Sequence, residues 1–267
     1  MKLNQVLVVY KQVSASLRGR KGPNALHLAT LNELYEFLKE MGISFEMKSI
    51  RQLKNAGGVD LVITVGGDGT VLAASHYTNK SPILGIKSFG RHSVGYFCAA
   101  TRQTMKKFIK EIISNMRRPI NLHRLQTVIN GQKVAELALN DVLFASAIPA
   151  STSKYKLIVG RRAEEQKSSG VWISTAAGTT AAVRAAGGRV LPLVSDKIEY
   201  LVREPYYTAE QYCLTNEVLS PNASIKVISM MPQGTVFIDG GSTQYPAPEG
   251  SVITIKGAGK PLKVYWR

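Results

Sequence analysis

Three glycines and one aspartate follow directly after a run of apolar residues in the first third of the chain. The run reads VDLVITV over residues 59–65, and GGDGT occupies residues 66–70. Glycine lets the backbone approach a ligand closely, so the N–H groups of this loop are suited to face a diphosphate. A carboxylate is a poor neighbour for phosphates unless it binds a metal or accepts a proton. We therefore expect Asp68 to take part in chemistry as well as binding.

The same loop has a purely structural interpretation. Asp68 is also suited to cap the helix that TVLAAS begins, with the glycines forming a tight turn. The commonest phosphate motifs do not match, because GxxxxGK[ST] is absent and Leu72 stands where the dinucleotide fingerprint requires a third small residue. The loop by itself leaves both interpretations open.

A second glycine-rich segment, SSGVWISTAAGTTAAVRAAGG, covers residues 168–188. Its pattern predicts a strand over 171–175 that leads into small residues around Gly178, with hydroxyl groups at Thr179 and Thr180. Small residues permit close approach to a flat or charged ligand. A helix packed tightly against a sheet explains them as well.

A carboxamide and a carboxylate stand side by side at Asn140 and Asp141, after the apolar stretch AELAL. Together they can donate to and accept from adjacent ribose hydroxyls. The pair is also typical of a turn. Neither this pair nor the second glycine-rich segment identifies a function alone.

The predicted secondary structure that must position these residues changes near Pro119. The first hundred-odd residues alternate apolar strands with amphipathic helices, a pattern typical of a parallel sheet. One of these helices is predicted to start at a cap on Asn24 and to stop at Gly42. Later strands have a period of two, and Asn130-Gly131 predicts a hairpin. The sequence thus predicts an α/β domain with a parallel sheet over 1–118 and a mostly β domain over 119–267.

The composition limits the classes of partner and compartment. The 267 residues include 34 Lys plus Arg against 18 Asp plus Glu, and this formal charge of +16 favours polyanions. Nucleic acid, acidic membrane and polyphosphate-bearing small molecules all remain open on charge alone. Two distant cysteines, Cys98 and Cys213, fit a reduced intracellular protein. Without a signal-peptide core or an apolar run of roughly 20 residues, a cytoplasmic location is expected.

The three motifs together resemble the NAD kinase family. GGDGT, LND at residues 139–141 and GVWISTAAGTTAAVRAAGG occur in the same order over a chain of similar size, and the resemblance covers roughly residues 6–240. It implies an NAD kinase-like fold and transfer of the γ-phosphoryl group of ATP, or of polyphosphate, to the 2′-hydroxyl of the adenosine ribose of NAD⁺ or NADH. It also implies Mg²⁺ or another divalent metal with ATP, and a homo-oligomer.

The resemblance carries over residue by residue. Asp68 matches the catalytic base, and Thr180 matches the threonine of the family's Gly-Ser-Thr-Ala segment. Asn140 and Asp141 match an Asn-Glu pair that holds nucleotide hydroxyls. No side chain is assigned as a metal ligand. The predicted nucleotide-binding residues are Gly67, Gly69, Thr70, Tyr96, Asn140, Asp141, Lys167, Ser169, Thr179, Thr180 and Ala182.

The chain departs from the family pattern at three positions. Ser169 replaces an aspartate, Ala182 a tyrosine, and Lys87 an asparagine or histidine. The aspartate is expected near the nicotinamide end, where its loss reduces discrimination in favour of the positively charged oxidised ring. The variant resembles plant NADH-preferring kinases, so we expect NADH to be accepted at least as well as NAD⁺.

Charge neutralisation should matter more in phosphoryl transfer than the strength of the base. Besides Lys167, the sequence offers Arg18, Arg20 and Lys21 in the basic loop 17–22 as cations for this purpose. Each of these side chains is equally suited to a solvated surface position.

Other functions share parts of this pattern. Diacylglycerol-type lipid kinases and phosphofructokinases also carry Gly-Gly-Asp-Gly. No exposed amphipathic membrane helix stands out, which argues against a lipid kinase, and residues 168–188 match the nucleotide-kinase pattern rather than that of a sugar kinase. A basic nucleotide-binding or RNA-binding protein without catalysis is a further alternative. The sequence has no RNP-like aromatic motif, so neither nucleic acid nor membrane is the expected partner.

Overall fold

The computed structural model describes residues 3–13, 23–88, 94–206 and 212–267. The chain divides into two compact units, one of Met1–Asn121 with Leu262–Arg267 and one of Leu122–Pro261. The basic loop with Arg18, Arg20 and Lys21 lies outside the described residues. No helix in the described ranges has the length and hydropathy of a bilayer-spanning segment.

The helices are α1 (Pro23–Glu40), α2 (Asp68–Ser75), α3 (Met105–Ile113) and α4 (Ala182–Ala185). The strands up to residue 168 are β1 (Gln5–Tyr10), β2 (Ser44–Ser49), β3 (Leu61–Gly66), β4 (Ile83–Lys87), β5 (Cys98–Thr101), β6 (Ile120–Leu122), β7 (Leu125–Ile129), β8 (Gln132–Ala138), β9 (Asp141–Ser146), β10 (Ser153–Val159) and β11 (Arg162–Ser168). The later strands are β12 (Val171–Thr175), β13 (Ile198–Val202), β14 (Asn216–Leu219), β15 (Ser224–Ser229), β16 (Gly234–Ile238), β17 (Thr243–Pro246), β18 (Val252–Gly257) and β19 (Leu262–Tyr265).

The first unit is built on a seven-stranded sheet in the order β2-β1-β3-β4-β19-β6, with β5 also paired to β4. The pairs that β1 forms with β2 and β3, and that β4 forms with β3, β5 and β19, are all parallel. Every residue of β3 is buried, because helices pack their apolar faces against the sheet. The predicted α/β region with a parallel sheet is therefore confirmed.

The start of one helix differs from the sequence prediction. Helix α1 begins at Pro23, so Asn24 lies in its first turn and is not its cap. Proline suits that place because the first helical N–H has no partner within the helix. Gly42 has φ +65°, so the predicted stop is confirmed. Helix α3 ends at Ile113 because Asn115 adopts φ +58°, which leaves Met116 exposed beyond the helix.

The second unit is a sandwich of two six-stranded sheets, ordered β11-β10-β15-β18-β7-β8 and β14-β13-β12-β9-β16-β17. The strand pairs in both sheets are antiparallel, and their inward residues form one apolar core. The predicted hairpin is present between β7 and β8, where Asn130 and Gly131 have φ +49° and +81°. These left-handed values are those of a type I′ turn. The predicted mostly β second part is confirmed.

Strand β19 belongs to the sheet of the first unit, in parallel with β4. The sequence-based boundary near residue 119 instead grouped residues 262–267 with the second domain. Alternating apolar residues in LKVYW identify a strand, but they do not identify the strand with which it pairs. The first unit is therefore made from two separate stretches of chain.

Candidate functional site

The GGDGT loop joins the buried strand β3 to α2 in the first unit. Gly67 occupies the cap position of α2, and Asp68 is its first residue. The Asp68 side chain accepts a hydrogen bond from the main-chain N–H of Phe97 at 2.7 Å (Oδ1). The interpretation of Asp68 as the helix cap is therefore wrong. Its half-buried carboxylate instead ties the loop to the start of β5.

The glycines of this loop do not adopt left-handed backbone angles, since none of the three has a positive φ. At Gly66 a side chain would collide with buried Thr70, whose Cβ lies 2.8 Å from the position of the added atom. At Gly69 an added Cβ would meet no atom within 4 Å. Packing within the protein thus explains Gly66 but leaves Gly69 free for the close approach of a ligand.

Aromatic and cationic side chains surround the segment that binds Asp68. The ring of Tyr96 meets Trp266 edge to face at 4.9 Å between centroids. The guanidinium of Arg267 donates to the main-chain oxygen of Gly95 at 2.9 Å. Both Trp266 and Arg267 reach this place because β19 lies beside β4. The sequence interpretation missed them, since no local motif marks them.

The buried thiol of Cys98 lies within the electrostatic reach of three charged groups of this region. Burial, and to a smaller extent Asp68, raise its pKa to about 12 in spite of Lys87 and Arg267, which act to lower it. Lys87 is thus both one of the three predicted departures from the family pattern and a cation that, like Asp68, acts on Cys98. The first unit therefore presents a carboxylate together with two positive charges.

The Asn140–Asp141 pair joins β8 to β9 in the second unit. A carboxylate far along the chain, that of Asp239, accepts the main-chain N–H groups of Leu139, Asn140 and Asp141 at 2.8, 2.7 and 3.2 Å. The segment is therefore fixed by a tertiary contact and is not an independent turn. Asp239 was not among the predicted residues, although its Asp-Gly dipeptide after an apolar strand is a recognisable turn signal.

The two side chains of the pair have unusual environments. Asn140 is 8% exposed, and its Oδ1 atom accepts no hydrogen bond from the described residues. Asp141 is 4% exposed, and burial, with the nearby Asp239 carboxylate, raises its pKa to about 7. A buried acceptor without a donor is costly, so a ligand hydroxyl that donates to Asn140 would satisfy it.

The second glycine-rich segment packs directly against this pair. A Cβ on Gly178 would overlap the main-chain carbonyl of Asn140 and would lie 2.6 Å from Ser174 Oγ. The hydroxyl of Thr175 donates to the main-chain oxygen of Leu139 at 2.6 Å. The structure therefore brings residues 139–141 and 174–180 together within the second unit.

The hydroxyl groups of this segment are engaged within the protein. Thr179 is fully buried, donates to the Ala176 oxygen at 2.6 Å and accepts the Leu191 N–H at 3.0 Å. Thr180 is half-buried and donates to the Ala177 oxygen at 3.0 Å. Thr179 thus has a packing role, which agrees with the structural alternative for these small residues. Ala182 is exposed at the start of α4.

Lys167 and Ser169 lie at the end of β11, and Lys167 is exposed. Ser169 donates its main-chain N–H to the oxygen of Arg203 at 2.9 Å. It lines a cavity of about 310 Å³ that Arg203 and Glu204 also line. Among the described residues, the lining of this cavity includes neither Asn140–Asp141 nor Thr179–Thr180. Ser169 therefore belongs to a separate part of the second unit's surface.

The chain is similar in sequence to known kinases. Residues 18–116 match the family described as ATP-NAD kinase N-terminal domain. The chain is 31% identical over 263 residues to a probable NADH kinase of Oryza sativa subsp. japonica, which covers 90% of this chain and 81% of that protein. It is 33% identical over 230 residues to an NADH kinase of Arabidopsis thaliana, covering 78% and 73%.

Solved structures share the fold. An NAD kinase from Archaeoglobus fulgidus in complex with ATP superposes with a TM-score of 0.75 at 22% identity, covering 98% of this chain and 93% of that one. Yeast NADH kinase complexed with NADH superposes with a TM-score of 0.77 at 16% identity, covering 99% and 84%. The order and pairing of elements described above are thus those of an established architecture.

Proposed function

The chain belongs to the NAD kinase family, and we propose that it transfers the γ-phosphoryl group of ATP to the 2′-hydroxyl of the adenosine ribose of NAD⁺ or NADH. The product is NADP⁺ or NADPH. The observation that carries this proposal is the position of Asp68, a half-buried carboxylate on the first residue of α2, at the end of a buried parallel strand. Ligands of open α/β sheets bind at that end of the strands.

Asp68 acts in this proposal as the general base. Its Oδ1 atom is occupied by the Phe97 N–H, and its Oδ2 atom accepts no hydrogen bond from the described residues. The Phe97 contact fixes the orientation of the carboxylate, so Oδ2 is available to receive the proton of a ribose hydroxyl. A base held in this way needs no reorganisation when the substrate arrives.

Positive charge near Asp68 supports the same reaction. Phosphoryl transfer depends mainly on positioning and on neutralising the phosphate oxygens. Lys87 and Arg267 supply two cations in this region of the first unit, in addition to the candidates Arg18, Arg20 and Lys21, which lie outside the described residues.

We propose Mg²⁺ or another divalent metal as the companion of ATP. Within the described parts of the chain no group of three or more His, Cys, Asp or Glu is arranged to hold a metal. Mg²⁺ keeps several waters and binds through substrate phosphates rather than in a dedicated all-protein cage, so the ion would enter together with ATP. When bound, the ion would neutralise charge on the phosphates of ATP.

Asn140 and Asp141 hold nucleotide hydroxyls in this proposal. The unsatisfied Oδ1 atom of Asn140 is an acceptor for one hydroxyl, and the carboxylate of Asp141 is an acceptor for another. The side chain of Asp141 is one methylene shorter than the glutamate that is usual at this position. Because the main chain of both residues is hydrogen-bonded to Asp239, the shorter side chain starts from a fixed position.

We further propose that NADH is accepted at least as well as NAD⁺. Ser169 supplies no charge to its cavity, and the two charged residues that also line it, Arg203 and Glu204, have opposite signs. Such a lining offers no net negative charge to favour the cationic oxidised ring. The plant relatives named above carry the name NADH kinase.

A homo-oligomer, in the cytoplasm, is part of the same proposal. On the sheet face opposite the core, Leu143 is register-paired with both Trp172 and Phe237, and all three are half-buried. Ile148, 44% exposed, extends this apolar row. A second copy of the chain would cover it. Light scattering at several protein concentrations should then give a mass that is a multiple of 29.1 kDa.

The proposed activity is tested by product analysis with matched substrates. Purified protein is incubated with Mg²⁺ and either ATP or polyphosphate, with NAD⁺ or NADH as acceptor, and 2′-phosphorylated dinucleotide is measured by chromatography. Formation of NADP⁺ or NADPH with ATP is the expected result. Parallel reactions with diacylglycerol and fructose 6-phosphate test the other kinases that share Gly-Gly-Asp-Gly. Phosphorylation of one of these, with no NADP(H) formed, would refute the proposal.

A further inference from the structure

The carboxylate of Asp239 collects three consecutive main-chain N–H groups, from Leu139, Asn140 and Asp141. Three successive N–H groups that converge on one anion form a concave donor site of the kind that proteins use for phosphates. Here the anion is a side chain of the protein itself, separated by about one hundred residues along the chain. The sequence interpretation gave Asp239 no role.

The backbone at Asp239 is specialised for this contact. Asp239 adopts φ +51°, in the left-handed region that aspartate tolerates better than most residues. Its own N–H donates to the main-chain oxygen of Asp141 at 3.0 Å, which continues the pairing of β16 with β9. Main chain and side chain of Asp239 thus hold the same three-residue segment from both sides.

The segment that Asp239 holds carries the two side chains assigned to the nucleotide. Asn140 keeps a buried Oδ1 atom without a donor among the described residues, a state that a hydroxyl donated by a ligand would relieve. We propose that Asp239 is a positioning residue that fixes Asn140 and Asp141 for the ribose hydroxyls of NAD(H). This inference rests on the proposed function for the identity of the ligand, but not for the contact itself.

The negative charge of Asp239 also affects the ionisation of Asp141. Asp141 is buried beside the Asp239 carboxylate, and both effects raise the pKa of Asp141 to about 7. On the other side, the buried guanidinium of Arg124 is attracted to Asp239, while burial lowers the pKa of Arg124 to about 10. Asp239 therefore influences how readily Asp141 ionises as well as where it lies.

The variant Asp239→Asn removes the negative charge and an acceptor atom of Asp239 while keeping the shape of its side chain. An amide has one acceptor atom and places an NH₂ group where Asp239 accepts hydrogen bonds, so at least one of the three contacts is lost. We expect KM for NADH to rise by about tenfold or more while kcat changes much less. We also expect the acid-side fall of kcat/KM to move to lower pH, because removing the like charge lowers the pKa of Asp141.

Asp60→Asn is the matched control. The carboxylate of Asp60 also accepts two consecutive main-chain N–H groups, those of Asn4 and Gln5, at 2.6 and 2.9 Å, but it lies in the first unit before β3. This variant loses the same kind of contact and should leave KM for NADH and the pH profile unchanged. An equal rise of KM in both variants would mean that the effect is general destabilisation, and it would overturn the proposal.

Hydrogen exchange tests the contact without relying on activity. In the unmodified protein without nucleotide, the amides of residues 139–141 should exchange slowly, and in Asp239→Asn they should exchange faster. Fast exchange in the unmodified protein would overturn the proposal even where the variant does not fold. A protein that makes no NADP(H) yet shows slow exchange would refute the proposed function while leaving the Asp239 contact established.

Discussion

The Oδ1 atom of Asp68 lies 2.7 Å from the main-chain nitrogen of Phe97 and accepts its hydrogen bond. This contact joins the first turn of α2 to the residue just before β5. It restricts the carboxylate to one orientation while leaving a second oxygen for a substrate. It also makes a substitution available that preserves the contact and removes the proton acceptor.

Asp68→Asn should lower kcat by about two to four orders of magnitude, because the amide oxygen still accepts from Phe97 but cannot act as a base. KM for both substrates should stay within about twofold of the original, since the shape of the loop is kept. Steady-state kinetics with NADH and ATP measures both constants. Turnover near that of the unmodified protein would remove Asp68 from the role of base.

Gly178→Ala should destabilise the second unit, because the new methyl group would overlap the Asn140 carbonyl and approach Ser174 Oγ. We expect a loss of about 1–3 kcal/mol in the free energy of unfolding, together with a raised KM for NADH. Gly241→Ala is the control, since a Cβ there meets no atom within 4 Å and the backbone angle is not left-handed. Urea titrations of both variants measure the free energy of unfolding. Equal stability of the two variants would contradict the close packing of Gly178 against Asn140.

Ser169→Asp should shift the preference between the two dinucleotides. A carboxylate in this cavity would attract the cationic oxidised ring, so kcat/KM for NAD⁺ relative to NADH should rise by about tenfold. Ser220→Asp adds the same charge at an exposed position and should leave the ratio unchanged. The ratio is measured with both acceptors at one ATP concentration. An unchanged ratio in the Ser169 variant would show that the nicotinamide binds elsewhere.

Asp141→Asn should change how stability depends on pH. The pKa of Asp141 is raised from 3.8 to about 7, so the folded protein holds this proton more tightly than the unfolded chain. The stabilisation this group gives is complete below about pH 4 and is lost as the pH rises through about 7. The asparagine variant lacks this loss, so its stability relative to the unmodified protein should rise between pH 4 and 8, by at most about 4 kcal/mol.

Urea unfolding at pH 4, 6 and 8 for both proteins measures this difference. Carboxylates that do not interact with Asp141 titrate equally in the two proteins, so their contributions cancel. A difference that is constant with pH would show that Asp141 ionises normally in the folded state.

Local patterns in the sequence predicted the features that depend on local chemistry. Apolar periodicity predicted the buried strand β3 and the helix α1, which ends before Gly42. Asn130-Gly131 predicted its hairpin because left-handed angles are a property of the two residues themselves. The motifs also predict Asp68 and the Asn140–Asp141 pair as site residues from local sequence alone.

Contacts between distant parts of the chain were not accessible in the same way. The partner of Asp239 lies about one hundred residues away, and the hydrogen bond from Phe97 that decides against a capping role for Asp68 spans 29 residues. No spacing rule relates such residues, because their proximity follows from the pairing of strands. The membership of β19 in the first sheet was missed for the same reason.

The place of β19 has a consequence for how the protein is made. The 140 residues of Leu122–Pro261 must be synthesised before Leu262–Tyr265 can reach the edge of β4. At ribosomal rates of about 5–20 residues per second, the nascent amino-terminal unit waits roughly 7–28 seconds with an incomplete sheet. Chaperones that shield exposed strand edges therefore have their greatest opportunity on this unit before translation finishes.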